Sequence, residues 1–137
     1  GNIEKRYAAL CAGELGAPAG HEAWLSARGR HVTVRAQPFG TAEHIRTELL
    51  HATRHGAFTL VQVAVHLARR HQIRAHLAAL GHPIAGDTAY GGPELAGLSH
   101  HFLHASGLQF EHPQTGAAII VAAPLPNALR RVIDSLG

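Results

Sequence analysis

The pattern of apolar and polar positions predicts that most of the chain forms β-strands. Phe58–Leu67 is the clearest strand, because it is rich in β-branched residues and places Gln62 and His66 on the same face, as suits the centre of a sheet. Four further strands are predicted, at Ile3–Gly13, within Trp24–Ala36 around His31–Arg35, at Phe102–Phe110 and at Ala117–Ala122. Turn-forming residues separate them at Gly13–Gly20, Pro38–Gly40 and His112–Gly116.

Two segments have helical periodicity. His71–Leu80 places Ile73, Leu77 and Leu80 on one face and is followed by Gly81, a common residue after a helix end. Leu125–Leu136 is amphipathic, with Leu129, Val132, Ile133 and Leu136 inward and Arg130 and Arg131 outward.

One segment, Thr41–His55, is ambiguous. Ile45, Leu49 and Leu50 have helical spacing, but we assign a strand. The order of elements predicts an α+β fold in which a mixed, largely antiparallel sheet carries a few short helices. With 137 residues and no internal repeat, residues 1–137 are expected to form one domain.

Composition narrows the class of protein. The chain is 46% hydrophobic and 15% charged, as expected for a globular protein. Lys5 is its only lysine, so arginine supplies nearly all the cations, and the guanidinium group suits phosphate and base stacking. The net charge of +3 is compatible with a polyanionic partner but does not establish one.

The single cysteine, Cys11, excludes an internal disulfide and a cysteine-based zinc cluster, and we interpret it as a buried residue of a strand. No apolar run is long enough for a membrane span, and the N-terminus lacks a signal-peptide pattern. We therefore expect a cytoplasmic protein that does not bind a membrane.

The richest candidate site lies in Arg69–Arg74. The four-residue spacing of Arg70 and Arg74 puts both guanidinium groups on one side of a helix, where they could clamp a phosphate or pair with a buried carboxylate. The alternative is an ordinary solvated basic surface. The Gly81–Leu98 segment that follows is expected to be a loop, with the Asp87 carboxylate accepting backbone hydrogen bonds in the turn.

The histidines offer a rival site. His51 and His55 are four residues apart, and His100, His101 and His104 cluster, a spacing that can bind zinc on a helix. Because no His-Glu-x-x-His pattern is present and the chain has 13 histidines, close pairs are expected by chance, and we predict no metal site.

Several motifs together resemble the RluA-type RNA pseudouridine synthase family. Lys5–Ala9 resembles the family's Lys-x-Tyr-x-Ala, and Leu67–Leu77 resembles Thr-Gly-Arg-x-His-Gln-Ile-Arg-x-His-Leu. Gly81–Gly91 matches Gly-His-Pro-Ile-x-Gly-Asp-x-x-Tyr-Gly, and the later Leu-His-Ala and His-Pro-x-Thr-Gly occur at Leu103–Ala105 and His112–Gly116. The resemblance runs from Lys5 to about Leu129 in family order.

The resemblance implies a pseudouridine synthase fold and an isomerase, an intramolecular transferase that converts uridine in rRNA or tRNA to pseudouridine without cofactor or metal. It implies catalytic roles for Tyr7, which would stack on the flipped base, and for Arg74, which would orient the catalytic aspartate. RNA contacts are expected from the neighbouring residues of the same motif, namely Arg69, Arg70, His71 and Gln72.

Two departures from the family pattern change the expectation. The stretch His-Arg-Leu-Asp-x-x-Thr-Ser-Gly, which carries the family's aspartate, does not occur, and Leu67-Ala68 stands where the family has Thr-Gly. There is also no methionine. We interpret residues 1–137 as the C-terminal part of a synthase catalytic domain, inactive alone, and expect self-association or pairing with the missing N-terminal half. The alternative is a natural, non-catalytic RNA-binding relative.

Overall fold

The computed structural model describes residues 3–137, which form seven β-strands and two α-helices. The strands are β1 (Glu4–Ala12), β2 (Ala19–Ser26), β3 (Thr33–Arg35), β4 (Glu43–His55), β5 (Phe58–Val65), β6 (Leu103–Glu111) and β7 (Ala118–Ala122). The helices are α1 (Gln72–Ala79) and α2 (Asn127–Leu136), and the connection between α1 and β6 contains one 3₁₀ turn, Thr88–Tyr90.

The strands form one sheet in the order β3-β2-β4-β5-β1-β6-β7. Every neighbouring pair of these strands is antiparallel. The α+β prediction is confirmed, and no parallel pair occurs within residues 3–137. Strand β1, which carries the first motif, pairs with β5 from Lys5 with Val65 to Ala12 with Phe58 and with β6 on its other side, so this motif lies inside the sheet.

The ambiguous Thr41–His55 segment is a strand, as predicted. Ile45, Thr47 and Leu49 alternate as buried residues of β4. The pairing with β5 then shifts register between Leu49 and His51, which inserts Leu50 as an extra residue. Such a bulge breaks the two-residue period and explains why the apolar spacing looked helical.

Strand β2 was not predicted, because its first residues were assigned to the Gly13–Gly20 loop. Ala23 and Leu25 alternate as its buried residues. At Gly20 a Cβ atom would meet the guanidinium group of Arg46 on β4, so the glycine leaves room for this flexible side chain. A glycine that makes room for a neighbouring side chain was therefore mistaken for a loop residue.

Helix α1 ends where the sequence predicted. Gly81 has a φ of 90°, the left-handed conformation that glycine adopts without strain. Its amide donates to the carbonyl of Ala78, and the amide of His82 donates to that of Leu77, both over short distances (3.0 and 2.9 Å). These two bonds form a Schellman motif, which satisfies carbonyls at the helix end and turns the chain into the following loop.

The main hydrophobic core joins the centre of the sheet to both helices. It contains Leu10 of β1, Ile73 and Leu77 of α1, and Val132 and Ile133 of α2, together with Ile84 and Phe102 from the long connection. Cys11 is fully buried in β1, as predicted, and burial raises the pKa of its thiol to about 12. Neither helix among the described residues has the length and hydropathy required to cross a bilayer.

His76 is a polar residue inside this packing. It is 1% exposed, and its Nδ1 lies 2.8 Å from Oγ1 of Thr47. The Thr47 hydroxyl oxygen also accepts a hydrogen bond from the Gln72 side chain, so we assign the hydroxyl hydrogen to His76. Burial, and secondarily the charge of His21, lowers the pKa of His76 to about 4.

The buried imidazole predicts a pH-dependent stability. In the unfolded chain His76 should titrate near its ordinary pKa of 6.5. Between these two pKa values the unfolded state binds more protons, so stability is complete above the ordinary pKa and declines as the pH falls toward 4. We expect His76→Gln to lower overall stability but to remove about 2 kcal/mol of this decline, measured by urea unfolding from pH 7.5 to 4.5. His51→Gln, at an exposed position of β4, is the control, and an unchanged decline in His76→Gln would contradict the assignment.

Candidate active site

One pocket brings together most of the predicted site residues. It has a volume of about 220 Å³ and lies between β1, the N-terminal end of α1 and the start of β6. Five predicted residues line it, and the sixth, Arg70, does not. The full lining is Tyr7, Ala68, Arg69, His71, Gln72, Ile73, Arg74, His101 and Leu103.

Arg74 forms the strongest ion pair in this part of the molecule. Its Nε donates to Oδ2 of Asp87 at 2.9 Å, and its Nη2 donates to Oδ1 at 2.8 Å. The Asp87 side chain is 1% exposed and that of Arg74 16%, so the pair is largely shielded from solvent. The hydrogen bond to Asp87 raises the pKa of Arg74, and the guanidinium also lies 5.1 Å from the ring centre of Tyr90.

This geometry corrects the role predicted for Asp87. Its carboxylate oxygens accept hydrogen bonds from Arg74, whereas the turn was expected to supply backbone amides. The turn is instead closed by backbone bonds, since Gly92 donates to the carbonyl of Asp87 at 2.8 Å. A side chain at Gly92 would overlap the carbonyl of Ile84, so this close turn requires glycine.

The ion pair also bears on the predicted role of Arg74, which was to hold a catalytic aspartate outside this chain. Nε and Nη2 are occupied by Asp87, while Nη1 has no hydrogen-bond partner within residues 3–137. Arg74 therefore retains one donor group beside the pocket, on a guanidinium whose orientation is fixed by the other two nitrogens.

His71 has an unusual backbone. It immediately precedes α1 with φ 54° and ψ 20°, the left-handed region that side-chain-bearing residues seldom adopt. Its Nδ1 lies 2.7 Å from Oη of Tyr90, and the same Oη accepts a hydrogen bond from the Val32 amide at 3.0 Å. We therefore assign the phenolic hydrogen to Nδ1 and the imidazole proton to Nε2. Burial, followed by the charges of Arg74 and Arg70, lowers the pKa of His71, which favours the neutral ring.

The other motif residues have different partners. Arg69 lines the pocket and pairs with Glu43, its Nε 2.8 Å from Oε2. Arg70 points away and donates from Nη2 to the carbonyls of Ala27 and Gly29.

Gln72 was predicted to contact RNA, but its side chain is committed inside the protein. It is only 3% exposed, and its amide nitrogen donates to the carbonyl of Arg46 and to the Thr47 hydroxyl. Its Oε1 accepts from the amide of Arg69. These bonds connect the start of α1 to β4 and give the side chain a structural role, while contact of Gln72 with RNA stays a prediction.

His101 and Leu103 are pocket residues that the sequence reasoning did not assign to this site. Leu103 belongs to the Leu-His-Ala motif, which could have identified it, whereas nothing in the sequence distinguishes His101 from the neighbouring histidines. Burial, and next the charge of Arg74, lowers the pKa of His101. No group of three or more potential ligands within residues 3–137 is arranged to hold a metal ion, and His51 and His55 lie on a strand, where helical spacing does not apply.

The pocket therefore combines an aromatic ring, two guanidinium groups and two histidines whose pKa values are lowered. None of the residues that line it is acidic. Such a site can stack a planar ring and bind an anion, but it contains no carboxylate that could act as a general base or nucleophile.

Comparisons with known proteins agree with this chemistry. The chain is 40% identical over 111 residues to ribosomal large subunit pseudouridine synthase C of Yersinia pestis, a match that covers 77% of this chain and 33% of the relative. A Bacillus subtilis protein named as an uncharacterized RNA pseudouridine synthase is 33% identical, with 95% of this chain and 43% of the relative covered. One from Mycobacterium bovis is 36% identical, with 98% and 45% covered. No protein-family model matches the chain.

Solved structures show the same fold. Human RNA pseudouridylate synthase domain containing 1 superposes with a TM-score of 0.67 at 24% identity, over 98% of this chain and 65% of that one. For human RNA pseudouridylate synthase domain containing 4 the TM-score is 0.70 at 18% identity, over 95% and 62%. The fold is thus that of a pseudouridylate synthase domain. The chain belongs to the RNA pseudouridine synthase family, as the motifs predicted, and spans between a third and a half of the length of these sequence relatives.

The buried ion pair predicts a large and asymmetric effect of mutation. Asp87→Asn leaves the Arg74 guanidinium without its counter-charge, which should lower the free energy of unfolding by about 3 kcal/mol. Asp134→Asn, on the exposed side of α2, makes the same change in charge and should have an effect below about 0.5 kcal/mol. Urea unfolding at pH 7 measures both, and similar values for the two variants would show that the pair does not stabilise the fold.

Proposed function

We propose that this chain forms the base-binding side of the active site of an RNA pseudouridine synthase, which isomerises uridine in rRNA or tRNA without cofactor or metal. The observation that carries the proposal is the pocket in which Tyr7 lies beside a fixed Arg74 and which lacks an acidic residue. The Yersinia relative is named a large-subunit pseudouridine synthase and the Bacillus relative an uncharacterized RNA pseudouridine synthase, which supports the proposal.

The pocket residues match the physical demands of this reaction. A uridine inside folded RNA must leave its stack before its glycosidic bond can be reached, at a cost of a few kcal/mol. A tyrosine face can replace about 1–3 kcal/mol of that lost stacking, which is the role proposed for Tyr7. Arg69, at the pocket surface, is suited to a phosphate, and Nε2–H of His71 to an acceptor oxygen of the nucleotide.

The reaction also requires a carboxylate, which we propose comes from outside these 137 residues. Asp87 is buried and both of its oxygens are bonded to Arg74, so it is not available to a nucleotide. The remaining donor, Nη1 of Arg74, would then pair with the incoming aspartate and favour its ionised form. In this arrangement Asp87 positions the guanidinium group of Arg74, and that group positions the incoming aspartate.

A non-catalytic RNA-binding relative is the second candidate. Two observations favour it, namely the pocket without an acid and the Leu67-Ala68 sequence, in which Leu67 is 76% exposed. Such a protein would use Tyr7 and the arginines to hold RNA without changing it. The two candidate functions differ in whether uridine is converted to pseudouridine. In both, the same surface contacts RNA.

We also propose that the sheet edge at β7 is covered in the working protein, either by a second copy or by the segment that carries the aspartate. β7 lies at the end of the strand order, and its Ile120 and Val121 side chains are 66% and 53% exposed. An apolar edge with unpaired backbone groups favours further strand pairing. The cytoplasmic location expected from the sequence remains a proposal, supported by the single buried thiol.

A hybrid enzyme tests the proposed function. This chain would replace the matching segment of the Yersinia pestis synthase, and pseudouridine formation would be measured on unmodified large-subunit rRNA transcripts. We expect the hybrid to be active and Arg74→Ala to lower its kcat by roughly a hundredfold or more while RNA binding changes little. Arg54→Ala, at a surface ion pair with Glu14, is the control and should retain activity.

Three outcomes would contradict this proposal in different ways. Pseudouridine formation by the 137-residue chain alone would disprove the external carboxylate. Full activity of the Arg74→Ala hybrid would remove the role assigned to that residue. A folded hybrid that binds rRNA but never modifies it would favour the non-catalytic relative.

Sedimentation measurements test the proposal for the β7 edge. We expect the isolated chain to associate with rising concentration, and Ile120→Lys to reduce this association, because a charged residue on an edge strand opposes pairing. Leu67→Lys, at an apolar residue outside the sheet that is even more exposed than Ile120, is the control. A chain that remains monomeric at all concentrations would exclude the second copy.

A further inference from the structure

A groove next to the pocket contains a concentration of cations. It has a volume of about 350 Å³ and runs between the end of β2, the loop that follows it and the start of α1. Arg28, Arg69 and Arg70 line it, together with one acidic residue, Glu43. The groove therefore has a net positive charge even with the Arg69–Glu43 ion pair intact.

The groove and the pocket share a lining residue. Arg69 lines both cavities, so they lie next to the same residue. If one base of an RNA strand occupied the pocket, the RNA backbone would have to continue along one of the neighbouring surfaces. The groove offers a surface of the correct charge directly beside the pocket.

The loop that carries Arg28 is held in place from two sides. Nη2 of Arg70 donates to the carbonyls of Ala27 and Gly29, at 3.1 and 2.8 Å. At the far end of the loop the amide of Val32 donates to Oη of Tyr90 at 3.0 Å. The loop is therefore already ordered in the folded protein. A ligand that binds it does not incur the entropy cost of ordering it.

The loop carries two exposed arginines, Arg28 and Arg30, and of these two Arg28 lines the groove. Its side chain is exposed, and within residues 3–137 it takes part in no ion pair or side-chain hydrogen bond. Arg70, by contrast, uses its guanidinium to hold the loop, and Arg69 is paired with Glu43.

From these observations we infer that the groove binds the phosphate backbone of the RNA next to the target nucleotide, with Arg28 as its principal phosphate contact. The inference rests on the proposed function, because the pocket must hold a nucleotide of the same RNA. Arg70, predicted to contact RNA, acts as a positioning residue for the loop. Glu43 competes with phosphate for Arg69 and weakens binding.

A comparison of charge-reversal variants tests this inference. The 137-residue chain is titrated against a fluorescent single-stranded RNA of about twelve nucleotides, with one central uridine, by anisotropy at several salt concentrations. Arg28→Glu should weaken binding by about tenfold and reduce the slope of log K against log salt by about 0.7, the value for one lost contact to single-stranded RNA. Arg131→Glu, an equal charge change at an exposed residue of α2, should have little effect on either quantity.

A second variant tests the groove from the opposite direction. Glu43→Gln removes the competing carboxylate and should tighten binding severalfold at low salt, because Arg69 becomes free to contact phosphate. Thermal unfolding confirms that each variant is folded before its binding is interpreted.

The results separate this inference from the proposed function. Equal losses of affinity in Arg28→Glu and Arg131→Glu would overturn the groove assignment. If Tyr7→Ala still weakened binding in that case, the pocket and the proposed function would stand. If the folded wild-type chain failed to bind this RNA at low salt, both would be rejected.

Discussion

The ion pair between Arg74 and Asp87 is the interaction on which the site depends. It joins α1 to the glycine-rich connection that follows the helix, to which the start of α1 is also linked by the hydrogen bond between His71 and Tyr90. A bidentate pair with so little solvent access has a defined geometry, because both carboxylate oxygens and two guanidinium nitrogens are used. The position of the remaining nitrogen is consequently set by the fold and does not require a bound ligand.

The electrostatics of the pocket follow from where each ionisable group is placed. Burial and neighbouring arginines lower the pKa values of His71 and His101, so the cations near the pocket at neutral pH are guanidinium groups. The carboxylates of Asp87 and Glu43, which pair with residues that line the pocket, are engaged by arginines. The pocket is therefore well suited to binding an anionic polymer. It lacks the available carboxylate that a reaction on that polymer would require.

Much of the fold could be predicted because the local pattern and the tertiary structure agree. The central strand at Phe58–Val65 and the helix end at Gly81 are defined by neighbouring residues alone. The prediction failed at β2, where Gly20 leaves room for the side chain of Arg46, a residue distant in sequence. It was least certain at Leu50, where a bulge breaks the two-residue period.

The site, like the fold, could be predicted where neighbouring residues define it and not where distant residues do. Family motifs identified Tyr7, Arg69, His71 and Arg74, which the fold brings to one pocket. They could not show that Gln72 faces inward or that Asp87 is the partner of Arg74, because both facts depend on the path of the chain between separate elements. His101 reaches the pocket through the start of β6, and no short-range signal marks it.

The Tyr90 hydroxyl connects the loop at Val32 to the imidazole of His71. In the assignment given above, the Tyr90 oxygen accepts from the loop amide of Val32 and the phenol gives its hydrogen to the imidazole of His71, which disfavours a second proton on that ring. Displacing the loop would free the oxygen to accept from a doubly protonated ring. Loop position and imidazole charge are therefore thermodynamically linked, so acidification and loop release should promote each other.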